Sequence, residues 1–475
     1  MMFSRRNILA ASAALPFAGS KAVAATAITI SVDAGQTGTI IPPDYMGLGF
    51  EVSSVAVPGL LSAGNGAYVR LIRNLGRRGV IRIGGNTSDY ARYEANGSPV
   101  SSPRGSVITY ASLVELRGFL DALSGQGGWR LIWGLNLGAN QLDNAVEEAR
   151  AVASVMGANG KERLIAFEVG NEPDLFGRAG HRPADYNYDA WLKDFRRYKA
   201  AVRAAVPGAP FAGPDLAGAA DWMPRFARDE GGDIALLSAH HYTTGQHLPN
   251  ATQDFLLAED RKYVGSLATF REAARAAGKP WRMVETNSFY GGGKEGVSDT
   301  FAATLWVLDY LFVLMNYGCA GINMETGVNH LGRVSSYSPI AGEKPGAHAA
   351  APEYYGLLAF AQMGGGARVP VKISSNGMNL TAHAVKNGRG LALAVINKDA
   401  AQDADATIRV SGYRSGRLLR LTASALNAKT GVTLGGAGVA PDGSWTGARH
   451  EPVRVVGGGA SLHVPAGSAA LVWLT

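Results

Sequence analysis

Between about residue 45 and residue 325, short apolar runs alternate with longer segments of helical period, and this alternation constrains the fold of the 475-residue chain more than any other feature. Parallel strands need a long crossover, usually a helix, so a strand–helix rhythm reads as parallel sheet. Strand-like runs fall at 45–51, 80–84, 130–136, 164–171, 210–214, 234–242, 282–286 and 320–325. Helices are expected over 113–123, 144–156, 189–205, 216–230, 267–277 and 301–316. In the third of these, Trp191, Phe195, Tyr198 and Val202 recur at alternating spacings of four and three, which is one helix face. Eight strands in a stretch of this length fit a (β/α)8 TIM barrel. An open doubly wound sheet is the alternative, but no glycine-rich phosphate loop follows the first strand.

The pattern changes at Gly364-Gly365-Gly366. Short strand-like segments punctuated by turns follow, at 368–373, 379–385, 390–397, 406–410, 418–423 and 469–474, with a hairpin turn at Asn387-Gly388. They predict a C-terminal antiparallel β-sandwich domain that also takes in an N-terminal strand at 28–32. The expected division is a leader at 1–24, the sandwich's first strand in 25–42, the catalytic barrel at 43–355 and the sandwich at 356–475. The leader has a twin-arginine pattern: Arg5-Arg6, an apolar run over 8–18, and a small-residue cleavage site at Ala22-Val23-Ala24. That pattern implies a bacterial protein exported folded to the periplasm or beyond. The apolar run is far short of the ~20 residues that span a bilayer, and no later stretch is long enough.

Composition narrows the function classes. One cysteine, Cys319, excludes a disulfide scaffold and any multi-cysteine metal site. Charged residues are 17% of the chain, too few for a coiled coil or a disordered polyelectrolyte. The formal charge is +7 without a Lys/Arg run of the kind that binds nucleic acid, so the surplus suits a small acidic substrate.

In a barrel of this kind the reactive side chains stand at the C-terminal ends of the strands. The fourth run leads into Asn171-Glu172-Pro173, where Pro173 cannot continue a ladder. The seventh ends at Glu285 and the sixth at His240-His241-Tyr242. Each acid taken alone also suits a solvated loop or a strand-end ion pair. Adjacent histidines on a strand point to opposite faces, so they do not share a metal, and no metal or other cofactor is expected. Tyr242 is placed to donate a hydrogen bond to a carboxylate and hold it ionised. Two carboxylates on different strands of one rim are what glycoside hydrolysis requires: one protonates the leaving oxygen, the other attacks or stabilises the anomeric carbon.

These residues resemble the clan of retaining glycosidases that carry an acid/base after strand four and a nucleophile on strand seven. The closer resemblance is to glycoside hydrolase family 79, the β-glucuronidases and heparanases. It rests on Gly49-Phe50-Glu51, Arg82-Ile83-Gly84-Gly85-Asn86 and Glu285-Thr286-Asn287-Ser288-Phe289-Tyr290. The resemblance implies Glu172 as acid/base and Glu285 as nucleophile. It further implies that Tyr290, Tyr337 and His330 hold the C6 carboxylate of a glucuronate, and that Glu51 and Asn171 hold sugar hydroxyls. Phe50 is a supporting residue. Arg82 is expected to pair with a rim carboxylate, Glu285 first, and Glu168 to sit deep in a structural ion pair. Glu325 also ends a strand and is the rival nucleophile, otherwise a binding residue. Trp133, Trp222, Tyr242 and Phe289 are candidates to line the sugar path, with Trp133 equally suited to the core.

The expected function is an exo-acting β-glucuronidase that releases terminal glucuronate or 4-O-methyl-glucuronate. The alternatives are a neutral-sugar glycosidase of the same clan (xylosidase, arabinofuranosidase or glucosidase) and a non-catalytic carbohydrate-binding barrel.

Overall fold

A computed structural model describes residues 25–124, 128–157, 162–327, 334–342 and 346–475. The expected leader at 1–24 and His330 lie outside the described residues. Eight parallel strands form one sheet: Gly47–Glu51, Gly79–Gly84, Trp129–Leu135, Leu164–Val169, Ala212–Leu216, Leu236–Gly245, Trp281–Tyr290 and Ile322–Glu325. These are barrel strands one to eight below. The eighth pairs with the first, at Glu325 opposite Gly49. A bridge between Phe167 and Phe211 joins the fourth to the fifth and closes the (β/α)8 barrel.

Helices cover the outside. Tyr188–Ala205 buries Trp191, Phe195, Tyr198 and Val202, the face expected from their spacing. The helix expected over 216–230 begins later, at Trp222, because the fifth strand runs on to Leu216. The helices Gly66–Asn74 and Pro352–Met363 were not expected. In Pro352–Met363 nearly every residue is buried, so no polar face interrupts its apolar run and the helical period is hard to see. This helix spans residues 355 and 356, so the chain passes to the second unit only after Met363.

The second unit is a β-sandwich built from the strands after Gly364 and from Thr26–Val32. The N-terminal strand pairs antiparallel with Val371–Ser374 and parallel with Ala404–Arg409, so the sandwich is mostly, not wholly, antiparallel. The expected segment at 368–373 is broken at Pro370 into Ala367–Val369 and Val371–Ser374, as a residue without an N–H requires. The strands Glu451–Val456 and Gly459–Val464 complete the sandwich. Among the described residues no helix is long and apolar enough to cross a membrane.

The barrel interior is layered. Its floor is apolar: Val80, Ile132, Ala166, Ala212, Leu236 and Val284 form one buried cluster contributed by strands two to seven. Two residues further along several of these strands the inward side chains are polar, among them Arg82, Glu168 and Ser238, all fully buried. This second layer supports the mouth.

Candidate active site

The mouth is organised around Arg82 on the second strand. Its Nε donates to Glu168 Oε2 at 3.0 Å, and its Nη1 donates to Glu285 Oε2 at 2.7 Å. Its Nη2 donates to Asn171 Oδ1 and to Asp215 Oδ2, both at 2.9 Å. One guanidinium thus binds groups from strands four, five and seven and the loop after strand four. A planar, permanently charged donor fork suits that task.

His240 forms the second hub. Its Nε2 lies 2.8 Å from Asp215 Oδ1, and its Nδ1 lies 3.1 Å from Glu172 Oε1 and 3.8 Å from Glu285 Oε2. Burial alone would drive a proton off this ring, but the Asp215 and Glu285 carboxylates raise its pKa well above the ordinary histidine value. These carboxylates thus favour the imidazolium form, in which both N–H groups donate. Glu172, His240 and Glu285 place one ligand-type atom each within 4.8 Å of one another, a spacing a metal could use. A doubly protonated imidazole has no lone pair for a metal, and the Arg82 guanidinium beside Glu285 already supplies positive charge.

The pKa values of the two acids are shifted in opposite directions. Burial would raise the pKa of Glu285, but His240, Arg82 and the hydroxyl of Tyr242, which donates to Glu285 Oε1 at 2.8 Å, bring it below the usual carboxylate value. Burial raises that of Glu172, and the nearby charge of Glu285 adds to the rise despite the His240 hydrogen bond. One carboxyl is held ionised and its neighbour is biased towards the proton.

Two backbone irregularities produce this arrangement. In strand seven the register with strand six shifts between Met283 and Glu285, so that Glu285 stands opposite His240. Without the extra residue Glu285 would fall opposite His241 and face outward. In strand five the shift between Pro214 and Leu216 leaves Asp215 as the extra residue, at φ 61°. Glu172 is also left-handed, at φ 53°. A non-glycine residue there costs on the order of 1 kcal/mol and persists where surrounding contacts fix it. Here Glu172 N donates to Asp215 O at 3.1 Å, and Asp174 accepts from the backbone N–H groups of Ala217, Gly218 and Ala219.

The remaining expected residues divide. Tyr337 is buried, with its ring 6.0 Å from that of Tyr242, so it joins the site. Tyr290 stands on the rim, 44% exposed, against His247. Glu51 is at the mouth, its Oε2 accepting from Thr87 N and Oγ1 at 2.8 Å each. Glu168 pairs with Arg82 deep in the barrel, and burial raises its pKa to about 8. Phe50 faces away from the mouth and packs on Tyr68, because it alternates with Glu51 along the strand. Trp133, Trp222 and Phe289 are core residues: Trp133 Nε1 donates to Glu148, and Trp222 packs on Tyr188 and Trp191. His241 points out of the barrel and stacks on Tyr263, with its centroid 3.3 Å away.

Asp215 was not foreseen, since it lies one residue past the expected end of its strand. The dipeptide Pro214-Asp215 at a strand end was the available signal. Asp89 also belongs to the support: it accepts from Leu137 N, Gly138 N and Asn171 N and thereby ties three barrel loops together.

Residues 382–471 match the glycosyl hydrolase family 79 C-terminal beta domain. The chain is 29% identical over 373 residues to a β-glucuronidase of Neurospora crassa, covering 70% of this chain and 66% of that protein. It is 28% identical over 321 residues to a β-glucuronidase of Aspergillus niger, covering 61% and 58%. The matched region thus spans slightly less than two thirds of the curated relatives' own length. Among solved structures, a 4-O-α-L-rhamnosyl-β-D-glucuronidase of Fusarium oxysporum superposes with a TM-score of 0.75 at 20% identity, over 94% of this chain and 99% of that one. The C-terminal domain is that of glycoside hydrolase family 79, and the barrel, its sandwich and these matches together support a family 79 assignment for the chain.

Proposed function

We propose that the chain is a retaining, exo-acting β-glucuronidase working by double displacement, with Glu285 as nucleophile and Glu172 as acid/base. The observation that carries this reading is the carboxyl pair: oxygens of Glu172 and Glu285 lie within 4.8 Å of each other, one acid held ionised and its partner biased towards the proton. Retaining enzymes hold their two carboxyls about 5–5.5 Å apart, whereas inverting enzymes need about 6.5–9.5 Å to admit a water.

Glu285, fixed by Arg82 and Tyr242, attacks the anomeric carbon while Glu172 gives its proton to the departing oxygen. The sugar is then esterified to Glu285. Glu172, now a carboxylate, takes a proton from the incoming water, whose oxygen displaces Glu285 and restores the original anomeric configuration. The imidazolium of His240 lies beside Glu172 in both states and eases its change of charge. Asn171 holds its amide oxygen on Arg82, while its Nδ2 is buried without a hydrogen-bond partner among the described residues, and that N–H serves a sugar hydroxyl next to the anomeric centre. Tyr337 and Tyr290 give neutral donors for the uronate carboxylate. The names of the curated relatives and the +7 charge support an acidic sugar.

A panel of nitrophenyl β-glycosides tests the substrate class. The glucuronide and its 4-O-methyl ether should turn over well. The glucoside and xyloside should be slower by about 30- to 1,000-fold, since without the carboxylate the donors are left unpaired at a cost of about 2–4 kcal/mol. Equal or faster turnover of a neutral sugar would replace this reading with that of a neutral-sugar glycosidase.

A further inference from the structure

Glu325 ends the eighth strand and is 2% exposed. Neither oxygen of its carboxyl has a hydrogen-bond partner among the described residues. Three of the donors around it are committed elsewhere, while the Tyr68 hydroxyl, in electrostatic reach, is itself buried with no hydrogen-bond partner among the described residues. Arg82 serves Glu168, Glu285, Asn171 and Asp215, His240 serves Asp215 and Glu172, and Tyr242 serves Glu285.

The fold nevertheless makes room for this carboxyl. Its partner across the ladder is Gly49, where a Cβ would lie 2.6 Å from Glu325 Oε2. The charges that act on Glu325 come from Glu285 on the seventh strand, Glu51 on the first, Arg82 on the second and His240 on the sixth. The hydroxyls of Tyr68, Tyr242 and Tyr337 are in electrostatic reach as well. Glu325 thus sits between the ionised nucleophile and Glu51, with two carboxyls repelling any negative charge placed on it. Burial first, and then these two carboxyls, favour its protonated form against the pull of Arg82 and His240. A buried carboxyl with neither oxygen hydrogen-bonded among the described residues lacks a partner for each, and buried polar groups rarely stay so.

We propose that Glu325 is a sugar-binding residue that works as a neutral carboxylic acid, donating its O–H to one hydroxyl of the bound sugar and accepting from a neighbouring hydroxyl through its carbonyl oxygen. The inference rests on the glycosidase reading above and deepens it. A vicinal diol matches the donor–acceptor pair, so an equatorial pair of sugar hydroxyls facing strands one and eight is the group recognised. When Glu325 loses its proton, the donor is gone and a second negative charge stands beside Glu285.

The test uses dinitrophenyl β-glucuronide, whose leaving group departs without help from Glu172. The kcat/KM profile then reports sugar binding and nucleophilic attack. The variant Glu325→Gln keeps size, neutrality and one donor but cannot ionise. The alkaline limb of its kcat/KM profile should move up by about one pH unit or more relative to wild type. Glu325→Leu, similar in volume and without polar atoms, should raise KM at least about tenfold with a smaller change in kcat. A Glu325→Gln profile that overlays wild type, or a Glu325→Leu variant with unchanged KM, overturns the inference while leaving the glucuronidase reading intact. Loss of all turnover in Glu325→Gln would overturn it differently, by showing that an ionised Glu325 is required. A wild-type protein that hydrolyses no glucuronide refutes the parent reading itself.

Discussion

Tyr242 makes the smallest change that tests the electrostatics of the mouth. Its hydroxyl is one of the groups holding Glu285 ionised. Glu285 must be charged to attack, so activity falls as pH drops through its pKa. Tyr242→Phe removes a stabiliser of the charged form, raises that pKa, and should move the acid limb of kcat/KM to higher pH. Its kcat/KM at the optimum should fall by about 10- to 100-fold. An acid limb that stays in place would show that Arg82 and His240 suffice. Glu172 gives a second prediction at this scale. For Glu172→Ala, glucuronides with poor leaving groups should lose about 10²–10⁴ in kcat/KM, while dinitrophenyl glucuronide loses far less, because only the former need the proton. Equal losses on both would remove the acid role.

At the scale of elements, the helix Phe301–Asn316 links the barrel to the sandwich. Its Asp309 accepts from His383 Nε2 at 2.7 Å and from Lys398 Nζ at 2.6 Å, both on sandwich strands or their ends. Burial would raise the pKa of Asp309, but the Lys398 and His383 charges bring it well below the usual carboxylate range. The sign follows from linkage: a depressed carboxylate adds stability above its unfolded pKa of about 4 and loses it as pH falls towards the folded value. Asp309→Asn leaves Lys398 buried and unpaired and should cost about 3 kcal/mol at pH 7 by denaturant unfolding. The difference from wild type should shrink below about pH 4. A difference that is constant from pH 7 to pH 3 would mean that the charge does not matter.

The elements also show where sequence reading works. Each barrel strand was visible as an apolar run, and most barrel helices with a polar outer face were visible by period, although the short helix Gly66–Asn74 was missed. Pro352–Met363 was not, since burial on all sides leaves no alternation. The two register shifts are invisible for another reason. Strict period two assigns His240 and His241 to opposite faces but cannot tell which one faces Glu285, because the answer depends on one extra residue between Met283 and Glu285. The same limit hid Asp215. Phe50 entered the expected site through the resemblance, although unbroken alternation with Glu51 turns its side chain to the core. Glu172 and Glu285 were legible because a strand-end acid next to Asn-Pro or Thr-Asn is a local pattern.

For the whole molecule, the barrel and the sandwich are interlaced parts of one fold. The N-terminal strand Thr26–Val32 enters the sandwich before the barrel begins, between Val371–Ser374 and Ala404–Arg409. The barrel supplies an apolar floor, a buried ionic layer and a mouth where Arg82 and His240 bias the pKa values of the carboxyls around them. Everything proposed for its chemistry requires that a sugar become bonded to Glu285. A 2-deoxy-2-fluoro-glucuronyl fluoride makes this intermediate long-lived, and mass spectrometry of the intact protein followed by its peptides locates the bond. The account predicts one sugar per chain, on the peptide carrying Glu285, with the β-anomer as first product of normal turnover. A label on Glu325, or an α-anomer as first product with no label at all, would contradict it.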